Sequence, residues 1–169
     1  MKNIFIHPSL SHIYQQYPLT LIDVGASGGI QDVWKNARAH LRVVGFEPDS
    51  RAFKQLTQTA DPQCTFINTA LYNKDGEVTF HLTKKQMCSS IFEPNFSFLE
   101  QFPDADRHTI INSIPVAVRK LSKKLLESEH ITDADFLKVD TQGEDLFVLE
   151  GAQDVLDELI FGINIEAEF

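Results

Sequence analysis

Three short segments of the sequence carry side chains that could do chemistry. The first is a glycine-rich turn at residues 23–29, which follows an apolar run. The second is Glu47-Pro48, which closes another apolar run about twenty residues after the turn. The third is the corner at residues 140–143, which follows a run ending at Val139. If these runs are neighbouring parallel strands, the three segments meet at their carboxyl ends, where such sheets bind ligands.

Small residues in the first turn let a ligand approach the backbone, and Gly29 is expected to let the next helix pack close to the strand. The spacing does not fit the dinucleotide fingerprint, because the third glycine would fall at Ile30. The negative charge of Asp23 suits a cationic ligand such as S-adenosylmethionine better than a pyrophosphate. A tight turn without any ligand is the alternative. The candidate cofactor-binding residues here are Asp23, Gly25, Ala26, Ser27 and Gly29.

Glu47 stands where a nucleotide-binding βαβ unit places the acid that accepts hydrogen bonds from both ribose hydroxyls. Such charge-assisted bonds contribute roughly 1.5–3 kcal/mol each. The alternative is a solvated carboxylate at the end of a strand. Because the glycine-rich turn lies at the expected distance, we favour the ribose role, with Pro48 beside it.

Asp140 ends a run that we expect to be a central strand, so it faces the same cleft. It could orient the methyl-donor end of a cofactor, bind the acceptor, or act as a general base toward a hydroxyl. It could also simply cap the helix that starts near Gly143. Glu144 suits the positive end of that helix dipole. No histidine pair or cysteine spacing indicates a metal site.

Alternating apolar runs and helical patterns place these residues in an α/β fold with a mainly parallel sheet. Strands are predicted at 19–24, 42–46, 64–71, 77–83, 135–139 and 160–167, with a short strand around Val116 and Val118. Helices are predicted at 9–17, 30–41, 121–130 and 144–149. Another helix starts at Asp49 or Ser50 and should bury Phe53 and Leu56.

The length of 169 residues fits one domain. We divide it into an N-terminal helical extension at 1–18 and a main domain at 19–169, with a variable insertion at about 87–115. The insertion is rich in phenylalanine but has no clean period. It is either a lid or binding loop, or a helical addition whose aromatic side chains complete the core.

Composition indicates which classes of partner and which cellular setting suit this chain. The net charge of −9 repels phosphate backbones, so nucleic acid is a poor partner. No run approaches the roughly 20 apolar residues that a membrane span needs. Two cysteines without a disulfide pattern favour a reduced, cytoplasmic setting. A small-molecule acceptor is the partner that we expect.

At these segments the sequence resembles the FkbM-family methyltransferases, and the resemblance covers nearly all of 19–169. It is carried by residues 21–26, 44–49, 68–71, 76–80 and 89–90, and most densely by 135–144 with 148–152. It implies a Rossmann-like class I methyltransferase sandwich that uses S-adenosylmethionine for O-methylation, commonly on sugars or natural products. It also implies that Asp23, Gly25, Ala26, Gly29 and Glu47 line the cofactor, with Ala70 and Leu71 near the adenine.

The sequence departs from the family pattern at several places. Ser27 stands where Asn is usual, and Leu121-Ser122 stands where Leu-Asp is usual. The C-terminal strands that the family pattern implies are missing from the sequence, which leaves the last predicted strand as a sheet edge that invites pairing. Either the sequence is a piece of a longer chain, or dimerisation through this edge supplies the missing elements.

Two other functions are compatible with these patterns. An NAD-binding oxidoreductase is disfavoured by the failed third glycine and by Glu47-Pro48. A degenerate, non-catalytic methyltransferase-like domain would bind a partner through the edge strand. Methyl transfer to a hydroxyl, with Asp140 as the candidate catalytic residue, remains the leading hypothesis.

Overall fold

The computed structural model describes residues 7–58 and 61–166. The strands are β1 (Leu19–Val24), β2 (Leu41–Phe46), β3 (Cys64–Ile67), β4 (Ala70–Leu71), β5 (Gly76–Thr83), β6 (Ile110–Arg119), β7 (Phe136–Val139) and β8 (Gly162–Ile165). The helices are α1 (Pro8–Gln16), α2 (Ser50–Gln58), α3 (Phe96–Leu99), α4 (Lys123–Ser128), α5 (Asp145–Gly151) and α6 (Gln153–Glu158). Short 3₁₀ segments occupy Asp32–His40, Gln86–Cys88 and Ala105–His108.

Five parallel strands form the central sheet, in the order β3-β2-β1-β7-β8. The predicted α/β, Rossmann-like sandwich with a mainly parallel sheet is therefore confirmed. Strands β1, β2 and β7 are apolar on both faces because both faces are covered. One face packs with the helices after β6, and the other packs with the segment Asp32–His40.

A second sheet of three strands, in the order β4-β6-β5, lies beside the first. The single strand predicted at 64–71 is wrong, because β3 and β4 belong to different sheets. The chain turns at Asn68, whose side-chain amide donates to the Glu47 and Pro48 carbonyl oxygens at 2.7 and 3.2 Å. These bonds stop the strand and hold it against the end of β2.

The predicted insertion at 87–115 overlaps β6, which begins at Ile110. The expected short strand around Val116 and Val118 is its second half. Pro115 concealed the strand in the sequence. It is tolerated because β4 pairs with β6 only near Arg119, so β6 has one unpaired edge at the proline. The remaining insertion contains α3 and two 3₁₀ turns.

The helix predicted at 30–41 is a run of 3₁₀ turns instead. Three residues per turn bring Trp34 and Ala37 onto one face, and Ala37 is buried. Val33, which helical spacing would bury, is 62% exposed. In α2, likewise, Ala52 and Leu56 are buried, whereas Phe53 is only half-buried.

Other element bounds shift by a few residues. The α4 helix begins after Ser122, whose Oγ accepts a hydrogen bond from the Leu125 amide, so serine caps the helix where the family pattern has an acid. The sequence patterns missed α6. Residues 1–6 of the predicted extension and Ala167 of the last predicted strand lie outside the described residues. No helix in the described ranges combines the length and apolar character that crossing a membrane requires.

Strand β8 is the edge of the central sheet within the described chain. Ile163 and Ile165 on this strand are 52% and 42% exposed. An exposed apolar edge of this kind can pair with another strand. The homo-oligomer expected through it stays a prediction.

Candidate functional site

A cavity of about 290 Å³ opens at the carboxyl ends of β1, β2 and β7. Its size is close to the lower end of the range for small-molecule pockets, about 300–1,000 Å³. The predicted site residues on its wall are Gly25, Ser27, Glu47, Pro48, Ala70, Leu71 and Asp140. The structure therefore brings all three chemistry-bearing segments together.

Three predicted site residues, Asp23, Ala26 and Gly29, do not line the cavity. Asp23 and Ala26 are buried behind its wall. Gly29 has a φ of +81°, and a Cβ there would meet only Leu56 Cδ2 at an ordinary 3.9 Å. The expectation that Gly29 permits close packing is wrong. Its backbone conformation is what favours glycine.

Gly25 brings the backbone of the turn close to the third segment, at Asp140, as well as to the cavity. A Cβ at this position would lie 1.9 Å from the Asp140 carbonyl oxygen, and φ is +74°. The Gly25 and Ala26 amides both donate to the Phe46 carbonyl oxygen at the end of β2. The Asp140 amide donates to Val24 in the same way. The turn is thus fixed to both neighbouring strands by its own backbone.

Behind the turn lies a group of polar side chains that we call the Lys138 cluster (Asp23, Gln31, Lys138 and Asp140), of which Asp23 and Lys138 are buried. The Lys138 ammonium lies 3.0 Å from Asp23 Oδ1 and 3.4 Å from Asp140 Oδ2. It also donates to the Gly25 carbonyl oxygen at 2.8 Å. The Gln31 amide donates to Asp140 Oδ2 at 2.9 Å. Burial raises the pKa of Asp23, and Lys138 opposes that rise.

The hydrogen bond from Gln31 and the ion pair with Lys138 mean that one oxygen of Asp140 is already engaged. The Asp140 side chain does not cap α5 in this arrangement. Instead, Asp145 Oδ1 accepts from the Thr141 amide and hydroxyl. Asp140 lies at the cavity wall and is held in place by its neighbours.

Glu47 is a second buried carboxylate, 3% exposed, at the end of β2. Its Oε1 accepts from the Asp49 amide at 2.8 Å. Burial raises the pKa of Glu47 to about 7, although backbone hydrogen bonds from Asp49 and Ser27 act in the opposite direction. A ligand that donates hydrogen bonds to this carboxylate would favour its charged form. The residue can therefore receive hydroxyl groups from inside the cavity.

A third buried carboxylate was not predicted as a site residue. Glu144, 5% exposed, lines the cavity and forms what we call the Glu144 cluster with Ser90 and Ile91. Its Oε1 accepts from the Ile91 amide at 2.6 Å and from the Ser90 hydroxyl at 3.1 Å. Its Oε2 is buried without a hydrogen-bond partner among the described residues. Burial, the largest effect, raises the pKa of Glu144 to about 7.

The side chain of Glu144 is aimed by its local backbone. Gln142 and Gly143 have φ values of +60° and +109°, and the resulting turn carries the chain into α5. A Cβ on Gly143 would press on the Phe92 ring at 3.2 Å. The turn therefore sets both the helix start and the contact with the insertion. In the sequence, Glu144 suggested only a favourable helix dipole.

The insertion supplies the opposite wall of the cavity. Lining residues that the sequence patterns did not single out include Lys85, Gln86, Met87, Ile91 and Arg107. The serines at 89 and 90 were left open between ligand binding and a turn role. Ser89 Oγ accepts from the Thr83 amide, and Ser90 Oγ bonds to Glu144, so both join parts of the protein. Within the described residues, no group of three or more potential metal ligands comes together.

One comparison with known proteins gives a match. A family model described as the methyltransferase FkbM domain matches residues 23–169. No curated protein and no solved structure matches the sequence. The matched range contains the glycine-rich turn, Glu47, the Lys138 cluster and the Glu144 cluster.

Proposed function

The chain belongs to the FkbM methyltransferase family, and from this premise we propose that it transfers a methyl group from S-adenosylmethionine to a hydroxyl of a sugar or natural-product-like small molecule. The observation that carries the proposal is the meeting of Gly25, Glu47 and Asp140 at one cavity. We keep a cytoplasmic setting as part of the proposal, supported by a composition of two cysteines without a disulfide pattern.

The residues at the wall fit the proposed cofactor. Glu47 would hold the ribose, because a carboxylate is a strong acceptor for two neighbouring hydroxyls. The small side chains of the turn would leave room beside it, and Ala70 and Leu71 would offer an apolar surface to the adenine. When bound, the cofactor supplies a methyl group on a positively charged sulfur. The net negative charge of the protein favours such a ligand.

The chain's own residues would supply position rather than covalent chemistry. The Lys138 cluster would keep the glycine-rich turn and Asp140 at a fixed separation, and Asp140 would orient the acceptor. Proximity and orientation can contribute several kcal/mol, about 7–11 in favourable cases. The insertion, which faces the strand ends across the cavity, would exclude water from the reacting groups.

Calorimetric titration with S-adenosylhomocysteine tests the cofactor. We expect one site per chain, and weaker binding of NADH. Methyl transfer is then measured with radiolabelled S-adenosylmethionine and a panel of methyl glycosides. Binding of NADH in preference to S-adenosylhomocysteine would contradict the proposal. Binding of S-adenosylhomocysteine without transfer to any glycoside would contradict the proposed acceptor class alone.

A further inference from the structure

Among the described residues, no cation acts on the Glu144 carboxylate. Neutral groups, the Ile91 amide and the Ser90 hydroxyl, donate hydrogen bonds to its Oε1. The charged group that affects it is Asp145, which disfavours ionisation. Its Oε2 has no partner among the described residues although it is buried. Such a group destabilises the protein and calls for another explanation than folding.

The other two acids at the cavity have roles that fit their surroundings. Asp140 Oδ2 is bound by Gln31 and lies beside Lys138. Glu47 stands at the strand end proposed for the ribose. Glu144 lines the same cavity, is almost fully buried, and has no part in the proposed cofactor site. The donor that we assign to it is a hydroxyl of the acceptor.

We propose that Glu144 takes the proton of the acceptor hydroxyl, an inference that rests on the proposed methyl transfer. The acceptor O–H bond breaks and its proton goes to the Glu144 carboxylate, the acceptor oxygen gains the methyl group, and the electron pair of the sulfur–methyl bond stays on the sulfur. Ser90 and Ile91 donate to one carboxylate oxygen, so the carboxylate keeps one orientation. Asp140 then acts as a positioning residue for the acceptor.

The acidity of Glu144 agrees with this role. Burial raises its pKa to about 7, and a general base is most effective when its pKa lies near the working pH. The charged groups around it include Asp145 on its own helix and, along the cavity wall, Glu47, Lys85, Arg107, Asp140 and Glu166.

Glu144→Gln tests the proposal, because the amide keeps the size of the side chain and the oxygen that accepts from Ile91. Asp140→Asn is the matched control. S-adenosylhomocysteine binding is first measured by calorimetry for the parent protein and both variants, and we expect the affinity of Glu144→Gln to be within threefold of the parent. This step separates a failure of the cofactor proposal from a failure of the proposal on Glu144.

The first readout is the pH profile of kcat with whichever glycoside accepts the methyl group. The parent rate should rise with pH to a plateau above about 7. Glu144→Gln should lower kcat by about 100-fold or more, the typical contribution of a general base, and should remove this rise. Asp140→Asn should lower the rate but keep the rise. Glu144→Asp, which retains a carboxylate, should recover part of the rate.

The second readout is independent of the acceptor. Infrared spectra of the S-adenosylhomocysteine complex should show a protonated carboxyl band that titrates near neutral pH, is absent in Glu144→Gln and is present in Asp140→Asn. A Glu144→Gln enzyme with the parent rate and pH profile would overturn the proposal. A carboxyl band unchanged by Glu144→Gln would also overturn it.

Discussion

The Lys138 cluster and the Glu144 cluster each contain a buried carboxylate near the carboxyl ends of the central strands, but the charge of that carboxylate is compensated differently. In the first, one ammonium lies within 3.4 Å of two acids. In the second, the hydrogen bonds to the carboxylate come from neutral groups, and no cation is among the described groups that affect its pKa. A compensated group holds the fold in place, whereas an uncompensated group changes its protonation near neutral pH. This difference indicates that Asp23, beside Lys138, maintains the site and that Glu144 is available for chemistry.

Removing the Lys138 ammonium should have the largest effect on the free energy of unfolding of any substitution discussed. Lys138→Met would leave Asp23 buried without its counter-ion, and breaking a buried pair costs about 3–5 kcal/mol. Urea denaturation of the two proteins at pH 7 measures the free energy of unfolding. Lys35→Met is the matched control, because Lys35 pairs with Asp32 at the exposed surface and should contribute little. Equal losses of unfolding free energy in Lys138→Met and Lys35→Met would mean that Lys138 does not compensate the buried charge of Asp23.

Glu144, in contrast to Lys138, should lower the stability of the folded protein as pH rises. A carboxyl whose pKa rises from 4.5 to about 7 on folding keeps its proton in the folded state after the unfolded state has lost it. The free energy of unfolding therefore falls as pH rises between these values, by roughly 3 kcal/mol in order of magnitude. Glu144→Gln cannot ionise and should escape this loss.

The measurement is the difference in unfolding free energy between Glu144→Gln and the parent, from pH 4.5 to pH 8. Glu47 contributes the same slope to both proteins, so the difference isolates Glu144. We expect the variant to gain steadily on the parent as pH rises. A difference that stays constant over this range would show that Glu144 is ionised throughout, and the comparison between the two clusters would fail.

Glu47 extends the comparison to cofactor binding. Glu47→Gln should weaken S-adenosylhomocysteine binding by about 10- to 150-fold, from the roughly 1.5–3 kcal/mol of one charge-assisted hydrogen bond. Because ribose hydroxyls favour the ionised carboxylate, binding by the parent should release protons below pH 7, where Glu47 is partly protonated. Calorimetry in buffers of different ionisation enthalpy detects this release. Parent-like affinity in the variant would remove Glu47 from the proposed ribose site.

Much of the site was predictable because the strand ends are marked by short, local signals. An apolar run followed by glycines, and an acid about twenty residues later, fix β1, β2 and their junction. Asp140 could be placed because β7 is also a buried apolar run. These signals require no knowledge of distant contacts, and the structure places Gly25, Glu47 and Asp140 on one cavity wall.

The remaining features depend on contacts between segments that are far apart in sequence. Glu144 is a cavity residue because Ser90 and Ile91 approach it from the insertion, and no local pattern indicates that approach. Lys138 was part of the family motif, but its ion pair with Asp23 forms only when β1 and β7 are neighbours. A lysine within an apolar strand was the available signal, since a buried ammonium requires partners.

The smallest expected effect separates the contribution of hydrogen bonds to the pKa of Glu144 from the contribution of burial. Ser90→Ala removes the hydroxyl that bonds to Glu144 Oε1 and to the Gln142 carbonyl oxygen and that accepts from the Phe92 amide, while the Ile91 amide remains. Loss of these bonds should cost about 1–2 kcal/mol. The hydroxyl also lowers the pKa of Glu144, so its removal should move the midpoint of the carboxyl infrared band to higher pH. Ser97→Ala, whose hydroxyl bonds only to the exposed Asn95, is the control and should move neither quantity. A midpoint that stays in place after Ser90→Ala would show that burial alone sets the acidity of Glu144, and that Ser90 serves the turn rather than the base.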